Sequence, residues 1–124
     1  MDSIASAPSS YAEFYVLQLG GAVADIDDNA TPYTGRTAGH YWMVESGWDH
    51  KADDAQFLGW SREAAARLAE ISMLGNYVNE QGDFGKEIAL GAYGEAKYGR
   101  LARLKGRYDP TNLFRLNQNI EPQW

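Results

Sequence analysis

His40–Ser46 reads HYWMVES, Asp54–Leu74 reads DAQFLGWSREAAARLAEISML, and the two stretches obey different periods. In a strand, successive side chains point to opposite faces. Tyr41, Met43 and Glu45 then share one face, and His40, Trp42, Val44 and Ser46 the other. Neither face is purely polar, so both are expected to be covered. In the second stretch Phe57, Trp60, Ala64, Leu68 and Ile71 recur every three or four residues, which is one face of a helix. Asp53 or Asp54 is expected to cap its start and Gly75-Asn76 to end it.

Working outward, Phe14–Leu19 (FYVLQL) reads as a strand broken by Gly20-Gly21, with Ala22–Ile26 as a second short strand. Asp27–Arg36 (DDNATPYTGR) is rich in turn residues and reads as a loop. Ile88–Gly94 reads as a helical fragment. Glu95–Tyr108 reads as a full helix whose apolar face is Tyr98, Leu101, Leu104 and Tyr108. On that reading Leu104→Ala costs about 2–5 kcal/mol, as for a core truncation. Pro110 stops the helix, and Asp109–Asn112 forms a turn before an irregular tail. The expected class is α+β, a small antiparallel sheet drawn from 14–26 and 40–47 with helices packed on one face. Residues 1–13 are expected to be a flexible leader.

The 124 residues set a prior of one domain, and their composition, 44% hydrophobic and 13% aromatic, is globular. The absence of cysteine excludes disulfides, thiolate metal sites and a cysteine nucleophile. A net charge of −6 argues against nucleic acid or an anionic membrane as partner. With no targeting segment legible, the cytoplasm is the default location. The charge is uneven: residues 1–94 carry five basic and fourteen acidic groups, whereas 95–124 carry six basic and three acidic. Lys97, Arg100, Arg103, Lys105 and Arg107 crowd the last helix. The plain reading is a solvated face with cations near a helix C-terminus; the functional one is docking to an acidic surface or a phosphate.

His40 and His50 lack the close spacing of a paired metal site, so no metal is expected. No P-loop and no G-x-G-x-x-G is present. Tyr41, Trp42, Trp48, Trp60, Tyr77 and Tyr93 are many rings for so short a chain; most should pack in the core. Glu45 and Glu80 stand in apolar settings that suit either a general base or plain surface exposure.

Tyr93-Gly94, Arg100-Leu101, Leu104-Lys105 and Tyr108–Ile120 (YDPTNLFRLNQNI) resemble the C-terminal signature of the berberine-bridge-enzyme-like FAD-linked oxidases. Gly20-Gly21-Ala22 is similar to that family's strand break, Pro32–Arg36 (PYTGR) to its aromatic-to-arginine loop, and Tyr77-Val78-Asn79 to its Tyr-x-Asn motif. The resemblance spans about 14–122. It implies the end of a substrate-binding domain over 14–92 and a C-terminal segment over 93–124. It also implies FAD, held by an FAD-binding domain on the same or a separate chain, and a small-molecule substrate. The implied reaction is oxidation of an alcohol or amine, in which a base removes a proton and hydride passes to the flavin. An enzyme is implied only in the complete oxidoreductase.

Family members place a tyrosine base directly after Tyr-x-Asn; here that position is Glu80. The family's base on the strand before Trp48 falls at Trp42 by alignment from Arg36 and at Tyr41 by alignment from Trp48. The resemblance therefore implies Tyr77 as substrate-orienting, Asn79 as holding a loop at the flavin, and Tyr41 or Glu80 as acid/base. The alternative is a stand-alone non-catalytic module that forms a homodimer through an open sheet edge.

Overall fold

The computed structural model describes residues 6–8, 11–73, 75–116 and 118–124. Most of the expected leader, and Leu74 at the expected helix end, lie outside them. Strand β1 is Ala12–Gln18 and β2 is His40–Ser46; helix α1 is Asp54–Ala69 and α2 is Lys86–Tyr108. The class is α+β, as the two periods imply. The chain divides into two compact units, 1–19 with 38–73, and 20–37 with 74–124.

In the first unit β1 and β2 pair antiparallel, with Phe14 opposite Val44 and Val16 opposite Trp42. Helix α1 packs on β2. Ser46 and Ser61 share a hydroxyl bond of 2.6 Å, and Trp42 Nε1 donates to Ser72 Oγ at 2.7 Å. The face bearing Trp42, Val44 and Ser46 therefore carries the helix. Phe57 and Ala64 are buried, and Trp48 stacks on Phe57 with centroids 5.2 Å apart.

Two details differ from the sequence reading. Asp53 holds the N-cap position without a side-chain cap bond, and Asp54 Oδ1 instead accepts the Trp48 indole N–H at 2.6 Å. A half-buried indole donor needs an acceptor, and the helix start supplies it. The helix also ends at Ala69. There Ile71 N donates to Leu68 O in a tightened turn and Ser72 Oγ takes the same carbonyl. Ile71, expected on the buried face, is 85% exposed because the helix has already stopped.

In the second unit the expected strand Ala22–Ile26 is replaced by a 3-10 turn at Gly21–Val23. Gly20 and Gly21 adopt φ of 137° and 52°, which takes the backbone out of the extended region. Helix α2 joins the expected fragment and the expected helix across a break at Gly94 (φ 71°, ψ 159°). Its buried residues are Ala89, Ala92, Lys97, Tyr98, Ala102 and Gly106. Leu104 is 49% exposed and Tyr108 more so, which overturns their assignment to the core.

Small residues, not large ones, define the covered face. Gln123 N donates to Ala102 O at 3.0 Å, and a Cβ on Gly106 would stand 2.0 Å from Gln123 O. The tail thus lies directly on the helix backbone along Ala102 and Gly106. Leu104, two residues on, lies roughly 200° around the helix from Ala102. Ala89, Tyr98 and Ala102 form the core cluster, with Leu90, Tyr93 and Ile120 packed against it.

The loop 20–37 is fastened to α2 by polar bonds. Lys97 is 6% exposed; its Nζ donates to Asp28 Oδ2 at 2.7 Å and to Tyr33 O at 2.8 Å. Arg100 Nη1 donates to Asn29 O at 2.8 Å, and Thr34 Oγ1 donates to Ala92 O. Lys97 is therefore not part of a solvated face. Its bond to Asp28, joined by Arg36 N–H, holds the Asp28 carboxyl below the usual carboxylate range. No helix among the described residues is long and apolar enough to cross a membrane.

Tyr98→Ala is expected to cost about 3–5 kcal/mol, and Leu104→Ala under about 0.5 kcal/mol, in denaturant unfolding. Asp28→Asn leaves the Lys97 ammonium buried without a counter-charge. Its expected cost at neutral pH is about 1–3 kcal/mol, less than for a fully buried pair because the carboxylate is 37% exposed. A depressed carboxylate stabilises above its ordinary value of 3.8 and loses that contribution as pH falls through its folded value. The gap between wild type and Asp28→Asn should therefore narrow below about pH 4, measured by melts across the acid range.

Candidate functional site

The fastened loop presents Tyr33, and Tyr33 meets Tyr77. Their ring centroids lie 6.1 Å apart with planes tilted 58°, an aromatic pair in the favourable range. The Arg36 guanidinium sits 5.2 Å from the Tyr33 centroid, a cation–π contact on the same ring. Arg36 is itself held, its Nη2 donating to Thr31 Oγ1 at 2.8 Å and its Nη1 to Val23 O at 3.3 Å. Its Nε is enclosed and has no partner among the described residues. Tyr33 is thus gripped from two sides, by Lys97 at its carbonyl and by Arg36 at its ring.

Tyr77 precedes a 3-10 turn, Val78–Glu80, closed by Glu80 N donating to Tyr77 O at 3.1 Å. The turn brings Asn79 back over Tyr77, and Asn79 Nδ2 donates to the Tyr77 hydroxyl oxygen at 2.8 Å. The phenol therefore accepts one bond from within the turn and keeps its own O–H for an acceptor outside it. The Tyr77 ring is 40% exposed, so an incoming molecule can reach it. Burial pushes the Tyr93 hydroxyl up from its ordinary value, and the nearby Tyr77 phenol adds to the shift. Tyr93 accordingly stays protonated near neutral pH and can donate but not act as a base.

Glu80 closes the turn with an exposed side chain, one residue beyond Asn79. Tyr41 belongs to the first unit, in β2 opposite Leu17, with its hydroxyl 3.9 Å from Met43 Sδ. Glu45 is exposed on the same strand, in keeping with the plainer of its two readings. The structure thus brings Tyr77, Asn79 and Glu80 together in one turn and places Tyr41 in the other unit. Among the described residues no three His, Asp or Glu side chains gather as metal ligands.

Residue-level reading missed Tyr33, Arg36 and Lys97. The first two stood in PYTGR, flagged by resemblance alone. Lys97 was hidden among four other cations, although its neighbours Tyr93, Tyr98 and Leu101 are all large and apolar or aromatic.

Residues 76–121 match the family described as "Berberine and berberine like". Over 94% of its length the chain is 32% identical to the uncharacterized FAD-linked oxidoreductase YvdP of Bacillus subtilis, covering 26% of that protein. It is 28% identical to FAD-linked oxidoreductase OXR1 of Pyricularia oryzae, again over 94% of the chain and 26% of the relative. It is also 28% identical to monolignol oxidoreductase AtBBE-like 13 of Arabidopsis thaliana, over 82% of the chain and 21% of the relative. The chain thus spans about a quarter of the length of the curated relatives it matches. The family match takes in the Tyr77–Asn79 turn and α2, and across most of its length the chain is similar to FAD-linked oxidoreductases.

Proposed function

We propose that this chain supplies the substrate side of the flavin site in an FAD-dependent oxidoreductase. The observation that carries the reading is the Asn79-to-Tyr77 bond beside the exposed Tyr77 ring. When bound, FAD accepts two electrons from the substrate; the residues here position the substrate and manage its proton. The donor set fits one polar edge of a flat ring. Asn79 offers an amide with both donor and acceptor, and Tyr77 a phenol and an aromatic face. The sequence carries no glycine-rich phosphate cradle, so the flavin-binding portion of the protein, on the same or a separate chain, holds the cofactor.

In this reading Tyr77 donates its O–H to the substrate heteroatom and its ring walls the substrate. Asn79 fixes the phenol and meets the flavin edge. Glu80, in the same turn, takes the substrate proton. The substrate is a small alcohol or amine. Tyr33 and Arg36 act through Tyr77, by holding its ring in place.

A second reading is favoured by the sheet. Among the described residues it has two strands, so each keeps an outer edge, and on β1 Val16 and Leu17 are half exposed. Such an edge can pair with a second copy in a non-catalytic module. Visible absorbance and solution mass separate the two readings. A flavin spectrum that co-purifies with the chain supports the oxidoreductase, and a colourless dimer supports the module.

In the flavin-containing assembly, Tyr77→Phe is expected to slow flavin reduction by substrate about tenfold, the worth of one lost hydrogen bond at the upper end. Asn79→Ala should slow it similarly, with little change in melting temperature because both side chains are exposed. Unchanged reduction by stopped-flow absorbance in both variants would remove this turn from the site.

A further inference from the structure

A hollow of about 370 Å³ lies along α2, lined by Arg100, Arg103, Leu104 and Arg107. The positions i, i+3, i+4 and i+7 share one helix face and span roughly 10 Å of its axis. Arg100 and Arg107 have contacts with groups other than carboxylates. Arg100 bonds a neutral carbonyl, that of Asn29, at 2.8 Å. Arg103 folds back over Gly99, its Nη1 3.6 Å from where a Cβ would stand. Arg107 lies 5.3 Å from the centroid of the Tyr108 ring. None of the three meets an Asp or Glu within ion-pair distance among the described residues, whereas Lys97, Lys105, Lys86 and Arg67 all do. Three cations without a carboxylate partner among the described residues therefore line one hollow in a chain whose net charge is −6.

We propose that the groove of Arg100, Arg103, Leu104 and Arg107 binds a diphosphate-bearing small molecule. Guanidinium forks match phosphate oxygens bidentately. A single carboxylate answers one fork and leaves two uncompensated. Two linked phosphates offer enough charge and oxygen for all three. Leu104, half exposed between the arginines, gives an apolar floor for the group that carries the phosphates. The site is separate in its chemistry from the Tyr77 turn and does not depend on the function proposed there.

The test is a titration of the 124-residue chain with inorganic pyrophosphate, followed by calorimetry and by the arginine Nε–H signals in NMR. Saturable one-to-one binding is expected, weakening with salt. Arg103→Gln and Arg107→Gln should each weaken it at least about tenfold, within the range of a lost charge-assisted bond. Arg67→Gln makes the same charge change at a residue already paired with Glu63, and should leave it within about twofold. Competition with ADP and with FAD then identifies the source of the diphosphate. Displacement by ADP alone points to a free nucleotide, and displacement by FAD with the same arginine dependence to the flavin's own diphosphate. Absence of saturation, or equal weakening by Arg67→Gln, would overturn the site. So would binding of a glutamate-rich peptide without binding of pyrophosphate, which would make the groove a contact for a carboxylate surface.

Discussion

The Lys97 ammonium sets the terms for the second unit. It is almost wholly removed from water, and an ammonium in that position is tolerated only when its donors are satisfied and its charge is answered. Asp28 answers the charge, and the Tyr33 carbonyl takes a second donor. Both acceptors lie more than sixty residues upstream, in a loop with little regular structure of its own. The bond therefore does more than join two atoms. It fixes where the loop runs on α2; Thr34 near the loop's end then bonds the Ala92 carbonyl, and Arg100 on α2 bonds the Asn29 carbonyl in the loop's middle. With the loop fixed, Tyr33 has one place to put its ring, and that place is against Tyr77.

The helix that receives the loop is built for close approach. Ala89, Ala92, Ala102 and Gly106 leave its covered face nearly flat, so neighbours reach its backbone and not merely its side chains. Thr34 reaches the Ala92 carbonyl, and the tail reaches that of Ala102. The Ala102 carbonyl lies inside the helix and offers a second lone pair, whereas the Ala92 carbonyl lies two residues before the break at Gly94, where the helical ladder is interrupted. A face of large side chains would have denied access to either. Tyr98 is the exception, a large ring buried at 3% exposure, and its hydroxyl accepts the Glu121 N–H at 3.4 Å. Small residues admit the loop and the tail, and one tyrosine supplies most of the buried apolar volume between them.

The same contrast explains what the sequence disclosed. The strand reading of HYWMVES located β2 to the residue, and on one of its faces Ser46 bonds Ser61 of α1 and Trp42 bonds Ser72 just past the helix end. Periodicity misplaced Leu104 and Ile71 for a common reason. It weighs large apolar residues, whereas α2 buries small ones and α1 stops before its apolar pattern does. Ala22–Ile26 looked extended because the positive φ of Gly20 and Gly21 leaves no trace in residue hydrophobicity. At the site, the spacing of Tyr77 and Asn79 was visible and their bond follows from a one-turn reversal. Tyr33 and Lys97 were not visible, since a contact across sixty residues has no period to betray it.

The loop after α2 is tied together by Asp109. Asp109 accepts from Lys105 Nζ, from Leu113 N at 2.8 Å and from Phe114 N at 3.0 Å, and the Lys105 bond holds its carboxyl below the usual range. Lys105 also donates to the Phe114 carbonyl. Asn112 completes the turn in the left-handed region, φ 54°, where asparagine is among the few side chains at ease. These bonds hold the backbone firmly while Leu113 and Phe114 stay 73% and 77% exposed. The turn is therefore held by polar bonds to its backbone and not by burial of these two side chains. The proposed function rests on a different condition, because the Tyr77 turn can act only where a flavin is brought to it.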